Sequence, residues 1–210
     1  MTPPTPTMSV AEAKAMAMSS RFALALVAAL ALASATALAA CGSASAPVAG
    51  QARAFAWLRP SPAPPSWHVS RLPNARLAFP LGWRSITSDP GTVSAAVRGG
   101  SGAIQGYLNA TPQQGAETLS NWSSFRLDHN RDEGDVSVKP VASATNLPFG
   151  AGHGSCVIDN YTSSTGRHFR EIACIVAGAS ATTVVVGAAP PAQWARQAPE
   201  IERAVSSFLT

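Results

Sequence analysis

The sequence predicts an α+β fold for residues 67–210, an antiparallel β-sheet flanked by helices, and three observations carry it. Two glycine-containing turns, at residues 99–102 and 164–166, each separate strand-like runs and so read as hairpins. Residues 181–188 form a continuous β-branched run, the pattern of a strand buried on both faces. Residues 113–131 and the C-terminal stretch after Pro190 instead repeat apolar side chains at helical spacing.

Taken in order, residues 75–83 (ARLAFPLGW) place Leu77 and Phe79 on one face of a strand that Pro80 ends. Gly82 allows a turn there, and Trp83 is large enough to cap the core beside it. Strands at residues 92–98 and 103–111 flank the Gly99, Gly100, Ser101, Gly102 turn. That turn lacks the following helix and the Lys-Ser/Thr pair of a phosphate-cradling P-loop, so it is read as a hairpin turn. Pro112 stops the strand, and Leu119, Trp122, Phe125 and Leu127 give the next segment a helical apolar stripe. A strand at residues 136–144 carries Val138 and Val141, and Pro140 assigns it to a sheet edge.

The hairpin at residues 154–176 fixes its own register. A three-residue loop centred on Thr165 puts Gly166 where a left-handed backbone is wanted. Counting outwards, Cys156 faces Cys174, Ile158 faces Ile172 and Tyr161 faces Phe169. The cysteines fall at a non-hydrogen-bonded pair, close enough for a disulfide. The same count opposes Asp159 to Glu171, a like-charge pair that calls for a cation such as Arg170 or Arg167, for water, or for a bulge. In the terminal helix Trp194, Ala198, Ile201, Val205 and Phe208 share one face, with Pro199 kinking or restarting it.

The 210-residue chain divides into three parts. Residues 1–40 read as a secretory signal in which Arg21 precedes an uncharged Ala/Leu run, and Met18 is a plausible true start. Residues 41–66 read as a tether rich in Pro, Ala and Ser, interrupted by Phe55, Trp57 and Leu58, which could lie on the membrane surface or against the domain but are read as stray apolar residues. Residues 67–210 form the single globular domain. Leu38, Ala39, Ala40 and Cys41 resemble the lipobox of bacterial lipoprotein precursors, which implies cleavage before Cys41 and a diacylglyceryl thioether on it. Two lipid chains hold a protein at a membrane without a span. The expected address is therefore the outer face of the cell membrane, lipid-anchored. With Lys14, Arg21 and Glu12 removed the mature part keeps thirteen basic and ten acidic residues, spread along the chain, which gives no nucleic-acid signature. Abundant alanine and only two lysines point to a GC-rich, actinobacterial genome. In an oxidising compartment the remaining pair, Cys156 and Cys174, is expected to be bonded.

No catalytic or metal-binding constellation emerges. Residues 152–156 (GHGSC) miss the nucleophile-elbow spacing around Ser155, and His153 and Cys156 point to opposite faces of a regular strand. Asp128, Asn130, Asp132 and Gly134 approach a calcium loop, but Glu133 displaces the glycine and Lys139 stands where the bidentate Glu belongs. Neither a cofactor nor a metal is expected. Two functions remain: a binding or accessory module acting on an envelope protein or lipid, and an envelope enzyme whose hydrolase-like site gathers scattered groups such as His129, His153 and Asp159.

Leu77, Phe79, Pro80, Gly82 and Trp83, together with Val205, Ser207 and Phe208, resemble the first strand and terminal helix of the PsbP-like family. That resemblance implies an α/β/α sandwich and an accessory or binding role without catalysis. The combination of lipobox, linker and such a domain is similar to the LpqN-type lipoproteins of mycobacteria, which implies a place in the cell envelope.

Overall fold

The structure, a computed structural model, describes residues 53–210; Cys41 and the signal stretch lie outside the described residues. Among the described residues the strands and longer helices follow in the order β1 (His68–Leu72), β2 (Ala75–Phe79), β3 (Arg84–Ile86), β4 (Val93–Arg98), β5 (Ile104–Pro112), α1 (Trp122–Asp132), β6 (Val136–Phe149), β7 (Gly152–Thr162), β8 (His168–Ala177), β9 (Thr182–Ala189) and α2 (Pro191–Ser206). Seven strands form one sheet in the order β3-β4-β5-β9-β8-β7-β6, and β1 pairs with β2 as a separate hairpin. All the pairings are antiparallel. This is the expected α+β architecture, with helices on both faces of the sheet.

The β-branched run became β9, the middle strand, because only a strand covered on both faces can bury consecutive Val184, Val185 and Val186. Val185 packs with Leu108, Cys174, Ile201, Val205 and Phe208 under α2. Val184 and Val186 pack with Trp122, Val157, Ala173 and Ile175 under α1. Gly187 lets α2 lie close on the sheet, since a Cβ there would stand 2.4 Å from Ile201 Cγ2 and 3.2 Å from Leu108 Cδ2. Overpacking of this kind costs about 1–3 kcal/mol, so Gly187→Ala should lower the stability by that amount, read as a lower urea midpoint at an unchanged slope.

Trp83 caps the core as expected: it is 1% exposed and its indole Nε1 donates to Glu200 Oε2 at 2.9 Å. Pro140 lies on the edge strand β6, which Lys139, Pro148, three register shifts and the left-handed Ser137 and Asn146 (φ 55° each) make a poor template for another chain. This strand runs through Phe149, five residues past the expected end.

Three further features correct the sequence reading. Phe55 and Leu58 are not stray residues of a tether: they are 3% and 5% exposed within the main core. Ser61 N–H donates to Ser206 O at 3.2 Å, and Arg203 donates to Ser61 Oγ and Pro62 O at 2.8 Å each, so this stretch is strapped along α2. Among the described residues, those from 53 to 66 therefore belong to the folded domain. The helix expected from residue 113 begins only at Trp122. Side chains in the intervening loop capture the backbone, Glu117 Oε1 accepting Gln114 N–H and Asn121 Oδ1 accepting Thr118 N–H, both at 2.6 Å, which competes with helix formation. Strands β1 and β3 were not expected; they have five and three residues, too few for a clear alternation.

Candidate functional site

Pairing of β7 with β8 is regular over ten positions, with Cys156 opposite Cys174, Ile158 opposite Ile172 and Tyr161 opposite Phe169. Cys156 and Cys174 are joined by a disulfide, with Cα atoms 4.1 Å apart, on the α2 face of the sheet. Because side chains alternate along a strand, Asp159 and Glu171 then share the other face, under α1.

Those two carboxyl groups are almost wholly buried, at 0% and 1% exposure. The cation that their pairing demanded comes from neither Arg167 nor Arg170, and no bulge intervenes. It is Arg126 of α1, whose Nε and Nη2 donate to Glu171 Oε1 and Oε2 at 2.7 and 2.8 Å. Trp122, Arg126 and Asn130 stand four residues apart and form one inward ridge of the helix. Trp122 Nε1 donates to Ala173 O at 2.9 Å, and Asn130 Nδ2 approaches Asp159 Oδ2 at 3.5 Å. Three rungs thus tie α1 to β7 and β8. The helical period from Trp122, combined with the like-charge pair, was the signal for Arg126; a charged helix residue is ordinarily read as solvated.

Charge in this layer is set by burial. Asp159 is pushed up to about 8 by burial first and by the Glu171 charge second, against the pull of Arg126. It is therefore mainly protonated at neutral pH, and its Oδ1 has no hydrogen-bond partner. Burial works against the Arg126 cation, but the charge and hydrogen bonds of Glu171 outweigh it and leave the guanidinium firmly protonated. Asp135, next to the helix end, is raised to about 6 by burial and then by Glu133. Burial also raises the Tyr107 and Tyr161 phenols. Beside α1 the sheet face continues as a polar network in which Asn109 Nδ2 donates to Ser94 Oγ at 2.9 Å, and Ser94 Oγ lies 3.2 Å from Tyr107 Oη.

The groups named for an assembled active site are not brought together. His129 is half-buried and lies 3.2 Å from Glu133, one turn away. His153 sits six residues from Asp159 on the same strand, roughly 20 Å along it. Ser155 Oγ donates to Leu119 O at 2.6 Å. Asn130, part of the calcium-like stretch, points inward to Asp159, and α1 continues through Asp132 where a loop would begin. Two open depressions lie on the surface. One of about 370 Å³ is lined by Gln113, Thr118, Leu119, Ser120 and Thr182, with no titratable side chain. The other, of about 310 Å³, includes His68 and Arg84 beside Phe79 and Trp83.

No family model and no curated protein matches this chain. Among solved structures, it is similar to cyanobacterial PsbP (CyanoP) from Synechocystis sp. PCC 6803, 11% identical over 68% of this chain and 91% of that one, with a TM-score of 0.50. LpqN of Mycobacterium tuberculosis, described as involved in cell envelope biogenesis, matches at 13% identity over 70% of this chain and 80% of that one, with a TM-score of 0.37. PA94 of Pseudomonas aeruginosa, described as a putative regulator of unknown function, matches at 13% over 69% and 96%, with a TM-score of 0.41. The CyanoP likeness is one of fold: this chain has a PsbP-like fold.

Proposed function

We propose that this protein is a lipid-anchored, extracytoplasmic binding or accessory module of a bacterial cell envelope, acting on an envelope protein or lipid without catalysis. The observation that carries the reading is Cys41 at the end of an uncharged Ala/Leu run, after Leu38, Ala39 and Ala40. The Cys156–Cys174 disulfide supports the compartment, because such bonds persist in oxidising surroundings. The PsbP-like fold supports an accessory role. The six residues of strand between His153 and Asp159, and the pairing of His129 with Glu133, support binding over an active site built from these groups. Among the described residues no helix is long and apolar enough to cross a membrane; in this reading the lipid on Cys41 provides the attachment.

The test is processing in a bacterial host. Globomycin, which blocks the lipoprotein signal peptidase, should cause the precursor to accumulate, and Cys41→Ser should abolish lipidation and membrane retention of a mature form. Membrane retention of an unprocessed Cys41→Ser chain at the wild-type level would overturn the anchor. For the binding role, crosslinking and recovery of the anchored protein from its own membranes should return a reproducible partner.

A further inference from the structure

Three guanidinium groups converge on one short stretch at the end of the sheet where β9 turns into α2. Arg98 Nη1 donates to Gly102 O at 2.9 Å, and Arg167 Nη2 donates to Ile104 O at 2.9 Å. Arg196 Nη2 donates to Gln105 Oε1. They come from β4, from the β7–β8 loop and from α2. The topology explains the meeting point. Pairing of β5 with β9 ends at Tyr107 and Ala188, because Pro190 and Pro191 carry the chain away into α2. The first residues of β5 lie beyond that last pair, and the arginines reach them.

All three side chains belong to exposed residues. The ion pairs among the described residues are Arg126 with Glu171, His129 with Glu133, and Arg131 with Asp128, so none of the three arginines has a carboxylate partner. Glu200, one turn beyond Arg196, accepts the Trp83 indole. Arg167 lies over the Phe169 ring at 5.4 Å and Arg170, at the same end, over the Trp194 ring at 5.2 Å; Arg170 is set apart by the nearby charge of Glu202. Each of the three forks has five donors and spends only one here on the protein. The glycine turn leaves the approach clear, since a Cβ on Gly100 or Gly102 would meet nothing within 4 Å. Three like charges held by neutral acceptors repel one another, and an anion would relieve that repulsion. The planar guanidinium matches phosphate oxygens in pairs, which a lone carbonyl does not exploit.

We propose that Arg98, Arg167 and Arg196 form a binding site for a phosphate-bearing anion. The site requires neither the lipid anchor nor an envelope partner, so it stands or falls separately from the function proposed above.

The full chain and its Arg98→Gln/Arg167→Gln/Arg196→Gln variant would be titrated with inorganic pyrophosphate by calorimetry. Separately, they would be mixed with vesicles of phosphatidylglycerol or phosphatidylcholine. Any contribution of the N-terminal apolar run is common to both vesicle types, so the difference between them reads the charged site. The wild type should bind pyrophosphate or prefer phosphatidylglycerol, losing about fivefold per arginine removed and about a hundredfold in the triple variant. The binding should fade at ~1 M salt, where the screening length is about 3 Å. A pyrophosphate response identifies a free phosphate as the ligand, and a phosphatidylglycerol preference without it identifies lipid headgroups. Failure to bind either probe, or equal binding by the triple variant, would overturn the site. An equal loss on replacing the remote, exposed Arg71 by Gln would reduce it to net charge and overturn it too. Single variants, each losing one surface hydrogen bond, keep the test readable should the triple variant unfold.

Discussion

Replacing Arg126 by methionine should destabilise the domain by about 3–5 kcal/mol, the effect of stranding one member of a buried ion pair. That is a large share of the roughly 5–15 kcal/mol by which a domain is stable. Arg126 makes both hydrogen bonds from α1 to Glu171, which is 1% exposed, so its removal leaves that carboxylate buried without a cation. Methionine keeps the apolar stem and removes the charge, so the loss reads the pair and not the packing. Adding Glu171→Gln to Arg126→Met should recover a substantial part of it, because no charge is then left uncompensated. Equilibrium urea unfolding of the two variants checks both expectations.

The same layer predicts an unusual pH dependence. Asp159 titrates at about 8 in the fold and near 4 when unfolded, so between those values the unfolded chain has released a proton that the fold still holds. Its contribution to stability is therefore full below about pH 4 and lost as pH rises through 8, at up to about 1.4 kcal/mol per unit. Asp135, raised to about 6, adds in the same direction over a narrower window. Asp159→Asn should flatten the decline between pH 5 and 8 and make the variant more stable than the wild type at pH 8. A wild-type stability that rises across that interval, with Asp159→Asn following it, would contradict the assignment.

The second large effect belongs to the disulfide. Cys156 and Cys174 are separated by 18 residues, and closing a loop of this size restrains the unfolded chain by about 3 kcal/mol. The paired Cys156→Ala/Cys174→Ala variant should melt roughly 6–12 °C below the oxidised wild type, given about 2–4 °C per kcal/mol for a domain of this size. Reduced wild type should fall between the two, since the thiols still fill their buried positions at 1% and 0% exposure. Thermal unfolding followed by circular dichroism, with and without reductant, separates the three.

What could be read from the sequence depended on how locally each feature is determined. The β7–β8 register followed from Gly166 (φ 80°) in a three-residue loop and from the two cysteines, all within one hairpin. The faces of α2 and the edge position of β6 followed from a repeating stripe and from Pro140. For Phe55 and Leu58 the Pro-rich composition favoured a stray position on a tether over a place against the domain, whereas the two apolar side chains and the bonds of Arg203 dock this stretch. The late start of α1 depends on hydrogen bonds from Glu117 and Asn121 that no apolar period reports. Arg126 was invisible for a related reason. Its role exists only because β7 and β8 place two carboxyl groups under the helix, a fact about tertiary structure. Even so, the like charges of Asp159 and Glu171 had already required a cation.

The function proposed above holds this module at the outer face of a membrane through Cys41. Intact-mass analysis of the chain purified from membranes of a bacterial host tests it most directly. The account predicts a species that begins at Cys41, carries the added mass of a diacylglyceryl group, and contains no free thiol because Cys156 and Cys174 are bonded. A membrane-bound chain that retains residues 18–40, or one that begins at a residue other than Cys41 without lipid, would contradict it.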